Sequence, residues 1–124
     1  MRLFVTSSRL AVCRLAPDDA VPAWPRGAFV SITRTPQELS IVCDEAAVPD
    51  DVQAERGWRA MQLEGPIPFE TTGVAAGLAS ALAARQISLF LVSTYDTDWL
   101  LVKETSLEAA AAALRDAGYD LASG

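Results

Sequence analysis

A chain of 124 residues and 13.2 kDa has room for one compact domain or two very small subdomains sharing a core, and larger architectures are excluded. Hydrophobic residues make up 51% and charged residues 21%, the balance of a globular chain and not of a disordered one. Ten basic against sixteen acidic side chains give a net charge of −6, which repels a phosphate backbone, so nucleic acid is not an expected partner.

The chain has no histidine, which excludes Ser–His–carboxylate triads, histidine proton shuttles and imidazole-based zinc sites within it. Its two cysteines, Cys13 and Cys43, each fall in an apolar, strand-like run with no second ligand nearby. They read as buried reduced thiols, and neither a metal nor a cofactor is expected. No apolar stretch approaches the length of a membrane span, and the N-terminus lacks a leader pattern. The expected address is cytoplasmic, with no membrane partner.

In chain order, residues 9–15 read as a strand stopped by Pro17-Asp18-Asp19, and residues 21–27 as a loop pinned by Trp24. Residues 29–34 and 39–43 form a hairpin about Thr35-Pro36-Gln37-Glu38. The acidic, proline-marked stretch 44–55 reads as a loop with at most one helical turn. Residues 58–64 form a strand that ends at Gly65-Pro66-Ile67-Pro68, which is too rich in breakers to continue it.

Thr71-Thr72-Gly73 opens a helix running to about Arg85, with Val74, Leu78 and Leu82 as its apolar stripe. The nearly continuous apolar run 87–94 predicts a central strand covered on at least one face. Residues 95–98 turn, and 99–102 return as a strand. Thr105-x-x-Glu108 carries a capping-box signature before an alanine-rich helix ending at Gly118, and 119–122 forms a last short strand.

The second half is therefore strand, helix, strand, strand, helix, strand: an α+β, ferredoxin-like βαββαβ order with an antiparallel sheet covered on one face by two helices. The first half repeats the layout with its helices reduced to turns. Ala11-Val12 with Pro17 echoes Ala60-Met61 with Pro66, and the hairpin at Glu38 echoes that at Asp98.

Two places offer chemistry. At Thr71, Thr72, Gly73 and Val74 the free amides and dipole of a helix start favour an anion such as a carboxylate, although a threonine there can equally serve as a plain helix cap. At the tip Ser93-Thr94-Tyr95-Asp96-Thr97-Asp98, the two carboxylates Asp96 and Asp98 can face a cation, although aspartate and threonine are also ordinary turn residues. Together they match a free α-amino acid, carboxylate one way and ammonium the other. Trp24, Trp58 and Trp99 flank these segments and read chiefly as core.

The stretch Glu64-Gly65-Pro66, Phe69, Thr72-Gly73-Val74, Ile87-Ser88-Leu89-Phe90 and Ser93-Thr94-Tyr95-Asp96-Thr97-Asp98-Trp99-Leu100-Leu101-Val102 resembles the ACT domain, in the branch similar to CASTOR-type cytosolic arginine sensors. The resemblance is specific over residues 58–119. Small bacterial members of that branch place a degenerate ACT-like half before a complete one. The resemblance thus implies tandem subdomains at 1–56, degenerate, and 57–124, complete. It also implies a non-enzymatic, regulatory amino-acid-binding module acting as a homodimer or on a partner protein. Thr72, Gly73 and Val74 would then present backbone to the ligand, Thr94, Tyr95 and Asp98 would face it, and Asp98 matches the acidic position that contacts a basic ligand.

Two other readings compete. One is a small carboxylate-dependent enzyme using Asp96, Asp98 or Glu64, for which no nucleophile–base pair or phosphate loop is present. The other is a ligand-free assembly module pairing an edge strand, 39–43 or 99–102, across subunits.

Overall fold

The computed structural model describes residues 1–123. Its elements are β1 (Arg2–Leu15), β2 (Ser31–Arg34), β3 (Leu39–Asp44), a 3-10 turn (Glu45–Ala47), β4 (Gln53–Leu63), α1 (Val74–Ala83), β5 (Phe90–Ser93), β6 (Asp98–Lys103), a second 3-10 turn (Glu104–Ser106), α2 (Leu107–Asp116) and β7 (Asp120–Ser123). Two compact units emerge. One is Ser8–Trp58, and the other joins Met1–Ser7 to the chain from Arg59 onward.

The larger unit has the βαββαβ order, from β4 through α1, β5, β6 and α2 to β7. β4 lies beside β6, and β6 pairs antiparallel with β5 in the register Phe90↔Leu101 to Ser93↔Asp98. The first residues of β1 lie between β4 and β7 and run parallel to β7, from Arg2↔Asp120 to Val5↔Ser123. The sheet is therefore not wholly antiparallel, because a strand from the chain's start occupies the place beside β4 that a plain βαββαβ order gives to its last strand. The Thr6 hydroxyl donates to the Ala60 carbonyl at 3.1 Å, and the Glu64 amide to the Arg2 carbonyl at 2.8 Å.

The helices close this unit's core. Leu78 and Leu82 of α1, with Ala110, Ala113 and Leu114 of α2, pack on Leu3, Met61, Leu63, Leu100 and Val102, all essentially inaccessible. Burying a leucine contributes roughly 1.5–3 kcal/mol, so this cluster holds the unit together. Gly77 leaves room for the Tyr119 hydroxyl, which would lie 2.8 Å from a Cβ there.

In the smaller unit β3 lies between β1 and β2, with registers Leu10↔Asp44 to Leu15↔Leu39 and Ser31↔Val42 to Arg34↔Leu39. Ala11, Cys13, Leu39, Ile41 and Cys43 form its core, with Trp24 packed alongside. No helix longer than the Glu45–Ala47 turn covers it among the described residues.

Several expectations are corrected. The first strand begins at Arg2, not at Arg9, and β4 begins at Gln53, inside the expected acidic loop. β5 is not central: it ends the strand order, and its residues are half-buried to exposed. An apolar run that is covered on one face looks like a central strand when only its composition is read. The strands proposed for edge-to-edge assembly, 39–43 and 99–102, are both interior, flanked on either side by other strands. α2 has Ser106 at its N-cap with no side-chain capping bond, because the 3-10 turn takes up Thr105 and the capping box does not form.

Candidate functional site

The chain leaves β4 at Leu63 and reaches α1 through a loop that contains a cis Gly65–Pro66 peptide. This loop is bonded to the β5–β6 hairpin. The Ile67 amide donates to the Asp96 carbonyl at 2.7 Å, and the Thr97 hydroxyl donates to the Leu63 carbonyl at 2.6 Å. Thr97 is only 5% exposed, so its hydroxyl needs a partner inside the protein. A Cβ at Gly65 would stand 2.8 Å from the Asp96 oxygen and 3.0 Å from the Thr97 Cβ, so only glycine permits this approach.

The hairpin tip is shaped by its own bonds. The Thr94 amide donates to the Thr97 carbonyl at 2.8 Å, and the Ser93 hydroxyl to Asp98 Oδ1 at 2.6 Å. Ser93 and Asp98 are register partners, so the serine fixes one oxygen of that carboxylate.

Between loop and tip lies a cleft of about 180 Å³. Ile67, Pro68, Phe69, Thr71 and Val74 line it from the loop and helix start, and Ser93, Asp96, Thr97 and Asp98 from the hairpin. Gly73, at φ 81°, is the N-cap of α1 and makes no side-chain cap. The first amides of the helix therefore lack an intrahelical acceptor beside two carboxylates that form no ion pair among the described residues. Such a cleft can hold a group bearing both charges.

Of the residues singled out in the sequence, Thr71, Val74, Asp96 and Asp98 line the cleft. Thr72, Gly73, Thr94 and Tyr95 adjoin those residues in the chain but are not part of the lining. Tyr95 is 80% exposed and meets the 72% exposed Phe69 edge to face, with ring centroids 4.9 Å apart. Ile67, Pro68, Phe69, Ser93 and Thr97 also line the cleft and are not among the residues expected to bind. Only the hairpin register could have brought Ser93 to Asp98. Neither Glu64 nor any of the three tryptophans lines this cleft.

Cys13 and Cys43 are free and buried. Burial, and next the neighbouring Cys43 sulfur, push the Cys13 thiol up to about 11, and burial likewise raises Cys43. No group of three or more acidic or cysteine side chains could hold a metal ion among the described residues. No helix is long and apolar enough to cross a membrane among them.

Fold and cleft together define a βαββαβ module with a small cleft between its first loop and its β5–β6 hairpin. The ACT domain family matches residues 53–116, half of the chain, and the chain belongs to that family. A second family, described as an N-terminal domain, matches residues 8–51.

The chain is 34% identical over 98 residues to the human cytosolic arginine sensor for mTORC1 subunit 1, a match taking in 70% of this chain and 30% of the sensor. The curated relatives it matches are spanned over 29% to 56% of their own length. The crystal structure of an Agobacterium tumefaciens protein superposes with a TM-score of 0.93 at 40% identity, covering 99% of this chain and 92% of that one. The ligand-free regulatory subunit of aspartate kinase from Thermus thermophilus superposes with a TM-score of 0.67 at 12% identity, over 95% of this chain and 98% of that one, a likeness of fold.

Proposed function

We propose that this chain is a regulatory module that binds a small free amino acid between the start of α1 and the Ser93–Asp98 tip and relays its presence to a partner protein or a second copy. The observation carrying this reading is the shared cleft, in which Thr71 and Val74 at a helix start stand with Asp96 and Asp98. A ligand carboxylate is stabilised at the helix end by about 0.3–1 kcal/mol from the dipole, plus its hydrogen bonds. An ammonium or guanidinium meeting Asp98 gains roughly 1.5–3 kcal/mol. The similarity to arginine sensors supports a ligand with a basic group. At about 180 Å³ the cleft is below the roughly 300 Å³ of ordinary small-molecule pockets, which suits one end of a small ligand.

The family supports a regulatory and not a catalytic role, and we place the protein in the cytoplasm, without a cofactor. The unit Ser8–Trp58 we read as the degenerate ACT-like half. Thr72, Gly73, Thr94 and Tyr95 complete the binding surface around the lining residues.

Thermal shift of the whole chain against each of the twenty common amino acids tests the reading. Stabilisation by one or a few of them, abolished in Asp98→Asn, is the expected result. A chain that none stabilises, and that still self-associates by size exclusion, would be an assembly module instead.

A further inference from the structure

Phe69 and Tyr95, the two most exposed large hydrophobic side chains among the described residues, stand together beside the cleft. Phe69 lines it from the loop, and Tyr95 directly precedes Asp96, which lines it from the hairpin. The two rings meet at 87° with centroids 4.9 Å apart, so they form a right-angled corner open to solvent. A single exposed apolar residue needs no explanation, but two aromatic rings in contact beside a cleft mark a surface where a ligand gains contact.

Much of the hydrogen-bonding capacity of the hairpin tip is spent within the protein. The Asp96 carbonyl accepts the Ile67 amide, the Thr97 carbonyl accepts both the amide and the hydroxyl of Thr94, and Asp98 Oδ1 accepts the Ser93 hydroxyl. What remains is the negative charge of Asp96 and Asp98, the surfaces of the two rings, and the apolar sides of Ile67, Pro68 and Val74. A primary ammonium carries three N–H donors and asks for directed acceptors. A quaternary ammonium carries none. Its charge spreads over methyl groups, which pack on apolar surface, face carboxylates without directed bonds, and are attracted to an aromatic face within about 6 Å.

We infer that the cation this cleft selects is a quaternary, trimethylated ammonium, borne by a small molecule whose carboxylate reaches the start of α1. The assignment rests on the binding reading above and narrows its ligand. The Phe69–Tyr95 corner holds the methyl groups, and Asp96 and Asp98 supply the opposing charge.

Calorimetric titration of the whole chain at constant ionic strength tests it, using two pairs of probes that differ only in methylation. These are glycine against glycine betaine, and lysine against Nε-trimethyllysine. In at least one pair the methylated member should bind about three- to thirty-fold more tightly, the range that cation–π contacts supply. The first pair places the methylated group on the α-nitrogen and the second places it on a side chain. In Phe69→Leu and in Tyr95→Leu the ratio within the pair should fall to about one. Both side chains are exposed, so these variants fold, and unchanged denaturation midpoints check this. The assignment is overturned if methylation leaves affinity unchanged or lowers it in both pairs, or if the preference survives in both ring variants. If neither pair binds while one of the twenty common amino acids stabilises the chain, the assignment falls and the amino-acid reading stands. If nothing binds, both fall.

Discussion

The Ile67 amide and the Asp96 carbonyl, 2.7 Å apart, join the loop that opens α1 to the tip of the β5–β6 hairpin. That bond puts the polarised end of a helix and a pair of carboxylates on one cleft, although the two segments are almost thirty residues apart in sequence. Chemistry of opposite sign is thereby held together by backbone atoms, and on the reading proposed above the Asp96 carboxylate and the second oxygen of Asp98 are what a ligand would meet.

Gly65 is the tightest point of this junction. In Gly65→Ala the added methyl meets the Asp96 backbone oxygen at 2.8 Å, and neither the loop nor the hairpin can yield without losing the Ile67 bond. We expect a loss of about 1–3 kcal/mol in urea unfolding, the range for overpacked sites, together with weakened amino-acid binding. Unchanged stability would mean that the loop moves freely and does not set the cleft.

Thr97 fixes the junction from the other side. Thr97→Val keeps the shape but leaves the Leu63 carbonyl without its 2.6 Å donor in a buried setting, at a cost of about 1–3 kcal/mol. Thr97→Ser retains the hydroxyl and should recover most of that loss. Comparing the two denaturation midpoints separates the hydrogen bond from the packing of the methyl group.

Asp98→Asn isolates the charge. The amide oxygen can still accept the Ser93 hydroxyl that Asp98 Oδ1 accepts now, so the hairpin should fold as before. Binding of a stabilising amino acid should weaken by about thirty-fold, near 2 kcal/mol, in calorimetry. Ser93→Ala removes only the group that orients the carboxylate and should cost a few-fold.

How much of this was legible depended on the range of the interaction. The helix stripe Val74, Leu78, Leu82 and the hairpin turn at 95–98 are local patterns, and the structure follows both. The strand at Arg2–Ser7 was not legible, because Arg2 to Val5 pair with β7 at the far end of the chain, a partnership no local pattern announces. β5 misled for a related reason: Phe90-Leu91-Val92 is as apolar as a central strand, yet it lies at an end of the sheet. The cleft followed from the topology, since β4 and β6 are neighbours and their C-terminal and N-terminal loops must meet.

The buried thiols give the protein a predictable response to alkali. Cys13 is 1% exposed, and its thiol is raised to about 11 from 9.0 by burial, with the Cys43 sulfur adding to the effect. Between these values the unfolded chain releases the Cys13 proton while the folded chain keeps it, so the unfolded state binds fewer protons and stability falls as pH rises. The contribution is complete below about pH 9 and is lost progressively up to about pH 11, to an extent on the order of 2–3 kcal/mol. Urea unfolding at pH 8 and at pH 10.5 should show this decline, and Cys13→Ala should reduce it, the raised Cys43 thiol keeping a remainder, while lowering stability at both values through the lost packing. In the folded protein at pH 8, a thiol-specific reagent should label neither cysteine until denaturant is added, because both are buried and protonated. Rapid labelling of the native chain would show that the sheet around Cys13 and Cys43 opens far more readily than a closed core allows.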